Sequence, residues 1–244
     1  MQKKPIIIIS VLCVISLVLG YLSGLKEDER LSNGDAETDS KKEPEFLEKG
    51  LVAYYPFNGN AKDESGNGHD GIVAGPVLST DRGNRKLSAY FFDGTDDLIT
   101  VNDFMLSANY AISMWFKSDE QSGNRTLLST GANYPDTYAS IFFRNEGGVN
   151  EGLFRFNNRN VASQYGGSNI LSKNTNHYGK WHQAVCIKKS DKIQLYIDGK
   201  IIDEKLDAGG RDKKTYLKIG CNIDGWFYHG SIDDLRIYNR ALSA

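Results

Sequence analysis

Ile193-Gln-Leu-Tyr-Ile-Asp-Gly-Lys-Ile-Ile202 sets apolar side chains on alternate positions, stops at an Asp-Gly pair, and resumes with apolar residues. A period of two places one set of side chains on one face of an extended chain. Asp-Gly between two such runs is a two-residue hairpin link, because the turn needs positive φ at both central positions. The stretch therefore predicts two antiparallel strands joined at Asp198-Gly199.

The same period recurs through most of the chain. Extended segments are predicted at Leu51–Phe57, Ala89–Phe92, Leu98–Val101, Tyr110–Lys117, Thr126–Ser129, Ala139–Arg144 and Gly152–Phe156. Others follow at Trp181–Lys188, Ile193–Ile197, Lys200–Leu206, Thr215–Ile219 and Ser231–Tyr238. No window carries a convincing helical stripe. The 244 residues include 13 Tyr, 11 Phe and 25 Gly, a mixture that suits strands and tight turns. Many short strands at this spacing predict an all-β, two-sheet antiparallel jelly-roll sandwich.

Charge and hydropathy divide the chain into three parts. Lys3 and Lys4 precede an apolar run from Ile6 to Leu22, so residues 1–24 read as a signal peptide or a signal anchor. Val18-Leu-Gly20 offers a cleavage site, whereas Tyr21 and Leu22 continue the apolar run and favour an anchor. In either case the rest of the chain is exported, membrane-anchored with the domain outside or secreted. Residues 25–49 form a charged linker, with a short amphipathic helix at Glu43–Lys49 as the alternative. Residues 50–244 carry 22 basic and 22 acidic side chains, within a net charge of −2 for the whole chain. That balance gives no reason to expect a nucleic-acid partner. It leaves the N-terminal segment as the contact with a membrane.

Two cysteines lie beyond the leader, Cys186 and Cys221. Export permits a disulfide between them, and burial as two small apolar residues is the other reading.

The closing segment Gly230-Ser-Ile-Asp-Asp-Leu-Arg-Ile-Tyr-Asn-Arg-Ala-Leu-Ser243 answers the opening segment Gly50-Leu-Val-Ala-Tyr-Tyr-Pro-Phe-Asn-Gly59. Between them stand Tyr90-Phe-Phe-Asp-Gly-Thr-Asp-Asp-Leu-Ile-Thr-Val101, Ala111-Ile-Ser-Met-Trp-Phe116, Trp181-His-Gln-Ala-Val185 and Leu217-Lys-Ile-Gly220. In this order the motifs resemble laminin G-like domains of the concanavalin A-like lectin/glucanase superfamily. The resemblance covers nearly everything after position 50. It implies that the first and last strands pair. Trp115 and Trp181 are expected in the core, as most aromatics of an all-β domain are. Relatives usually continue past Ala-Leu-Ser, whereas this sequence stops at Ala244.

The resemblance also implies a structural Ca2+ between an N-terminal loop and the closing strand. Its candidate ligands are Asp63 and Asp234, with backbone carbonyls near Asn58 and Gly94. Asp233 should face away from Asp234 by strand alternation. The alternative is that Asp63 caps a turn and Asp234 bonds neighbouring amides. The superfamily's glucanases carry a Glu-x-Asp-x-x-Glu run on one strand. No such run is present, and the four histidines, at 69, 177, 182 and 229, are scattered. Catalysis is therefore not expected.

Binding remains. Flat aromatic faces pack on sugar C–H groups and planar polar side chains bond hydroxyls. Trp226, Tyr228, Arg144, Arg155, Tyr134 and Tyr165 have that character. Trp226 follows Asp224-Gly225 and is the best exposed candidate, whereas most aromatics of an all-β domain are core. A surface module for a glycan or glycoprotein and a protein-binding adhesion domain both remain open, with a glycan hydrolase behind them.

Overall fold

The computed structural model describes residues 44–119, 123–131, 139–144, 152–159, 168–172, 177–207, 213–222 and 224–242. The leader, Tyr134 and Tyr165 lie outside them. Gly50–Leu242 forms one compact unit. In the remaining part of the chain, Glu45–Glu48 makes one short helix, α1, entered from Pro44. Among the described residues no helix is long and apolar enough to cross a membrane.

Fifteen strands build the unit: β1 (Leu51–Tyr55), β2 (Ile72–Ala74), β3 (Val77–Ser79), β4 (Ala89–Asp93), β5 (Leu98–Leu106), β6 (Tyr110–Ser118), β7 (Arg125–Thr130), β8 (Ala139–Arg144), β9 (Leu153–Asn158), β10 (Ser168–Leu171), β11 (Trp181–Lys189), β12 (Lys192–Ile197), β13 (Lys200–Leu206), β14 (Lys213–Ile219) and β15 (His229–Tyr238). They form two antiparallel sheets packed as a jelly-roll sandwich. The first has the order β13-β12-β11-β6-β15-β4-β3, with β1 also paired to β15. The second runs β10-β9-β8-β7-β14-β5-β2.

The predicted hairpin forms as its turn chemistry requires. Asp198 and Gly199 have φ of 50° and 74°, and β12 pairs β13 from Ile197↔Lys200 outward. The chain ends meet too. Tyr55 lies opposite Leu235 and Leu51 opposite Tyr238, and Asn239 donates its N–H to the Gly50 carbonyl at 2.9 Å. Gly230 lets β15 lie against β6. Its φ is 145°, and a Cβ there would sit 2.2 Å from the Lys117 carbonyl oxygen.

The core fills from alternate positions of both sheets. Ile112, Met114 and Phe116 of β6 share one core with Phe143 of β8 and Phe154 of β9. Phe116 stacks on Phe154 at 5.1 Å and meets Phe143 edge-on at 5.8 Å. The same alternation turns Trp115 outward, half-buried, because Met114 and Phe116 take the core positions on either side. Trp115 and Trp181 are thus not core residues, contrary to the expectation for aromatics of an all-β domain.

A buried polar chain crosses the sandwich. Tyr110 donates to Asn158, Asn158 donates to Asp207, and Lys188 pairs with Asp207 at 3.3 Å. Lys188 also donates to the carbonyls of Ser190 and Asp207, so its ammonium is hydrogen-bonded as well as charge-paired. Cys186 and Cys221 are both buried free thiols.

Candidate functional site

The outer face of the second sheet follows from what its strands bury. Ala139, Ile141 and Phe143 of β8 and Phe154 and Phe156 of β9 belong to the core. Ser140, Phe142, Arg144, Arg155 and Asn157 therefore point to the other side. Register brings them together. Phe142 lies opposite Arg155 on one neighbour and Thr126 on the other, and Ser140 lies opposite Asn157 and Ser129.

Phe142 is the hub. The Trp226 ring sits 5.8 Å from it, and the Arg155 guanidinium lies 5.4 Å over it. The Trp226 loop is held from two directions. Trp226 and Asp224 donate N–H groups to the Asn222 side chain, and the Trp226 carbonyl accepts from Thr126 of β7 at 3.2 Å. Trp226, Arg144 and Arg155 are half-buried, whereas Ser140, Phe142 and Asn157 are buried, so the centre of the face is recessed. Burial lowers the pKa of the Arg144 guanidinium from its usual value. At the rim, Arg125 reaches the carbonyls of Gly94 and Phe227, both at 3.4 Å.

The five strands β7, β8, β9, β10 and β14 contain no Asp or Glu. Glycoside hydrolysis by paired carboxylates has no donors on these strands. What they offer is an aromatic surface edged by planar hydrogen-bonding groups, which suits a polyhydroxylated ligand.

Three of the predicted ligand residues, Trp226, Arg155 and Arg144, are on this face. Tyr228 is not. Its side chain is fully buried and its ring meets Phe92 at 6.2 Å, so it is a core residue unavailable to a ligand. Two residues from Trp226, at the entry to β15, the chain has already turned inward. Phe142 escaped the sequence reading. In the Phe142-Phe143 pair one ring must face out, and only the register of β8 says which.

The candidate calcium ligands are otherwise engaged. Asp63 accepts from the N–H groups of Tyr54 and Ser65 on Oδ1, and from the Ser65 hydroxyl and His69 N–H on Oδ2. Burial pushes its pKa up, but the backbone donors at Tyr54, Ser65 and His69 outweigh that and hold it below the usual carboxylate value. Asp234 accepts from the Tyr54 hydroxyl at 3.0 Å and is paired with Arg82. Tyr54 stands between the two acids, its N–H on Asp63 and its hydroxyl on Asp234. Asp233 does not face away. The register shifts between Asp233 and Arg236, Asp234 takes φ 45°, and Arg82 bonds both carboxylates. A guanidinium already occupies the Asp233 and Asp234 oxygens that a metal would use, and it lies 4.7 Å over Trp115. This donor set does not suit calcium, which needs about six to eight oxygens turned to one point. Near Gly94, Asp93, Asp96 and Asp97 bring carboxylate oxygens within 4.8 Å of one another. Two of these acids already accept backbone N–H groups, Asp97 from Asp93 and Asp93 from Thr95.

A family model for the laminin G group of the concanavalin A-like lectin/glucanases superfamily matches residues 93–244. The chain belongs to this superfamily. Among solved structures, this laminin G-like chain is similar to domain 4 of AbnA, a GH43 extracellular arabinanase from Geobacillus stearothermophilus, in complex with arabinotriose. The two are 22% identical, with a TM-score of 0.61 over 79% of this chain and 94% of that one. The binding domain of Paraclostridial Mosquitocidal Protein 1 gives a TM-score of 0.62 at 18% identity, over 81% of this chain and 50% of that one. Botulinum neurotoxin type C, whose cell entry depends upon interaction with two ganglioside molecules, gives 0.60 at 14% identity, over 81% and 49%. The chain thus spans about half the length of these two toxin structures. At these identities the likeness establishes the shared fold. No curated protein matches the chain.

Proposed function

We propose that Gly50–Leu242 is a non-catalytic carbohydrate-binding module, with its ligand lying on the outer face of the second sheet. The observation that carries this reading is the convergence of Trp226 and Arg155 on Phe142. An indole edged by a guanidinium supplies a stacking plane and directional donors side by side. The recessed Asn157 and Ser140 add hydroxyl-reading groups beneath. The arabinotriose complex of the AbnA domain supports a sugar ligand for a fold of this kind. The apolar leader supports export, which would set the module outside the cell.

The test is calorimetric titration with a panel of oligosaccharides that includes arabinotriose. Trp226→Ala and Arg155→Gln should each weaken binding at least tenfold while leaving the melting temperature near wild type. Failure of every glycan to bind, or wild-type affinity in both variants, refutes the reading. A protein-adhesion reading draws on a different place. Ile72, Val73 and Val77 are exposed on the edge strands β2 and β3, and they would be the residues whose substitution abolishes adhesion.

A further inference from the structure

Away from that face, an unassigned pair of imidazoles sits where β11 begins. His182 Nδ1 lies 2.7 Å from Asp198 Oδ2. The other Asp198 oxygen accepts the Gln183 N–H at 2.9 Å, and the Asp198 N–H bonds the Gln183 carbonyl, so the carboxylate is fixed in place. A carboxylate on Nδ1 assigns the proton there and leaves the lone pair on Nε2. That nitrogen is buried, and no described group hydrogen-bonds it. A buried nitrogen of this kind normally has a partner.

The His177 ring stands perpendicular to His182, at 88°, with centroids 5.4 Å apart. Two imidazoles on one tetrahedral ion, with metal–nitrogen bonds of about 2.0–2.1 Å, have ring centres roughly 5 Å apart. The observed spacing is close to that. Phe116 lies against His182 at 5.8 Å, and Phe143 and Phe154 flank His177 at 6.5 and 6.4 Å, which gives the pair a dry wall. The segment after His177 is pinned by the isolated Tyr178–Ser118 bridge and by the Gly179 N–H on the Ser118 carbonyl. The Asp198 side chain is 47% exposed, so the Nδ1 end of His182 borders solvent while Nε2 points inward. A carboxylate orienting a histidine whose other nitrogen faces inward is the arrangement that supports a ligating imidazole.

We propose that His177 and His182 together bind one divalent transition ion of the zinc, nickel and copper class. Asp198 orients His182, and water completes the coordination. Imidazole suits these ions, whereas calcium takes oxygen donors. Asp198 is a positioning residue.

The experiment uses the full chain without a histidine tag. Zinc is titrated by calorimetry, and histidine ring nitrogens are followed by 15N NMR with and without zinc. The expected result is one zinc per chain, with the His177 and His182 ring resonances shifted and those of His69 and His229 unmoved. His182→Gln should abolish binding. Asp198→Asn should weaken it about 10–100-fold, because it degrades orientation and basicity without removing a ligand. No zinc binding at millimolar concentration, binding that survives His182→Gln, or zinc that leaves the wild-type His182 ring resonances unmoved overturns the proposal. The last readout stands even where His182→Gln does not fold.

Discussion

Replacing Arg82 with Met should loosen the closing strand by an amount that depends on pH. In the native unit the Arg82 guanidinium bridges Asp233 and Asp234 while its plane covers Trp115. The Asp233 side chain is 1% exposed and that of Arg82 13%. Removing one partner of such a buried pair costs about 3–5 kcal/mol, since it strands the other charge. Here one of the two carboxylates, Asp233, is already relieved by a proton at neutral pH. Burial first, and then the neighbouring Asp234, push Asp233 up to about 8 even against the pull of Arg82. Without the guanidinium it rises further and is protonated at neutral pH, which leaves one charge that the Tyr54 hydroxyl still bonds. The loss should therefore fall at the lower end, about 3 kcal/mol. For a unit of this size that is a drop of roughly 6–12 °C in melting temperature. Asp233 ionises in the wild type as the pH climbs through about 8, where the guanidinium favours its charge, so the deficit should grow between about pH 6 and 9. The wild type has its own sign. A carboxyl raised on folding binds its proton more tightly in the folded state, so stability falls as pH climbs from about 4, its unfolded value, to about 8. Asp233→Asn should flatten that slope. Urea unfolding followed by tryptophan fluorescence, with calorimetry at the two pH values, measures all of this. An Arg82→Met variant that melts within 1 °C of wild type, or a deficit equal at both pH values, refutes the reasoning.

Asp63 should show the opposite pH sign. Its pKa is depressed on folding, so its contribution is present above about pH 4 and is lost as pH falls through the lower folded value. Asp63→Asn should remove that acid limb from the urea midpoint measured between pH 5 and 2. Lys188→Met should cost about 3–5 kcal/mol, because Asp207 would remain buried without its cation, and the double change with Asp207→Leu should recover much of it in chemical denaturation. Cys186 and Cys221 should resist iodoacetamide in the native chain and react after unfolding, as mapped by peptide mass, since burial raises both thiols and they are not bridged.

Period-two patterning carried most of the architecture, because one-sided burial forces alternation. Ala139–Arg144 and Lys200–Leu206 form with the boundaries read from sequence. Three strands escaped. β2 and β3 have three residues each and flank a Gly75-Pro76 break, and β10 has only two apolar residues in Ser168-Asn-Ile-Leu171, too short for any period to show. The candidate face was legible in part. Trp226 stood out as an aromatic in a turn, and Arg155 as a charge on an otherwise apolar strand. Their meeting on Phe142 depends on cross-strand register and on a loop tied back to β7, neither of which is written in local residue order. The bulge at Asp234 is of the same kind. Alternation predicted opposed carboxylates, and one residue at positive φ set both toward Arg82. Pairing between Asp198 and His182 likewise joins a turn residue to a strand residue that only the β11–β12 register brings into contact.

The hydrogen bond between Gly50 and Asn239 closes the unit where its two ends enter and leave. Tension applied through those ends would act across the β1–β15 ladder in line with its bonds, opening them one after another from Leu51↔Tyr238 inward instead of shearing them together. The unit should therefore yield to small pulling forces despite its large core. The same proximity means that a few linking residues would join the ends, so a new start could be cut at the Asp198-Gly199 turn.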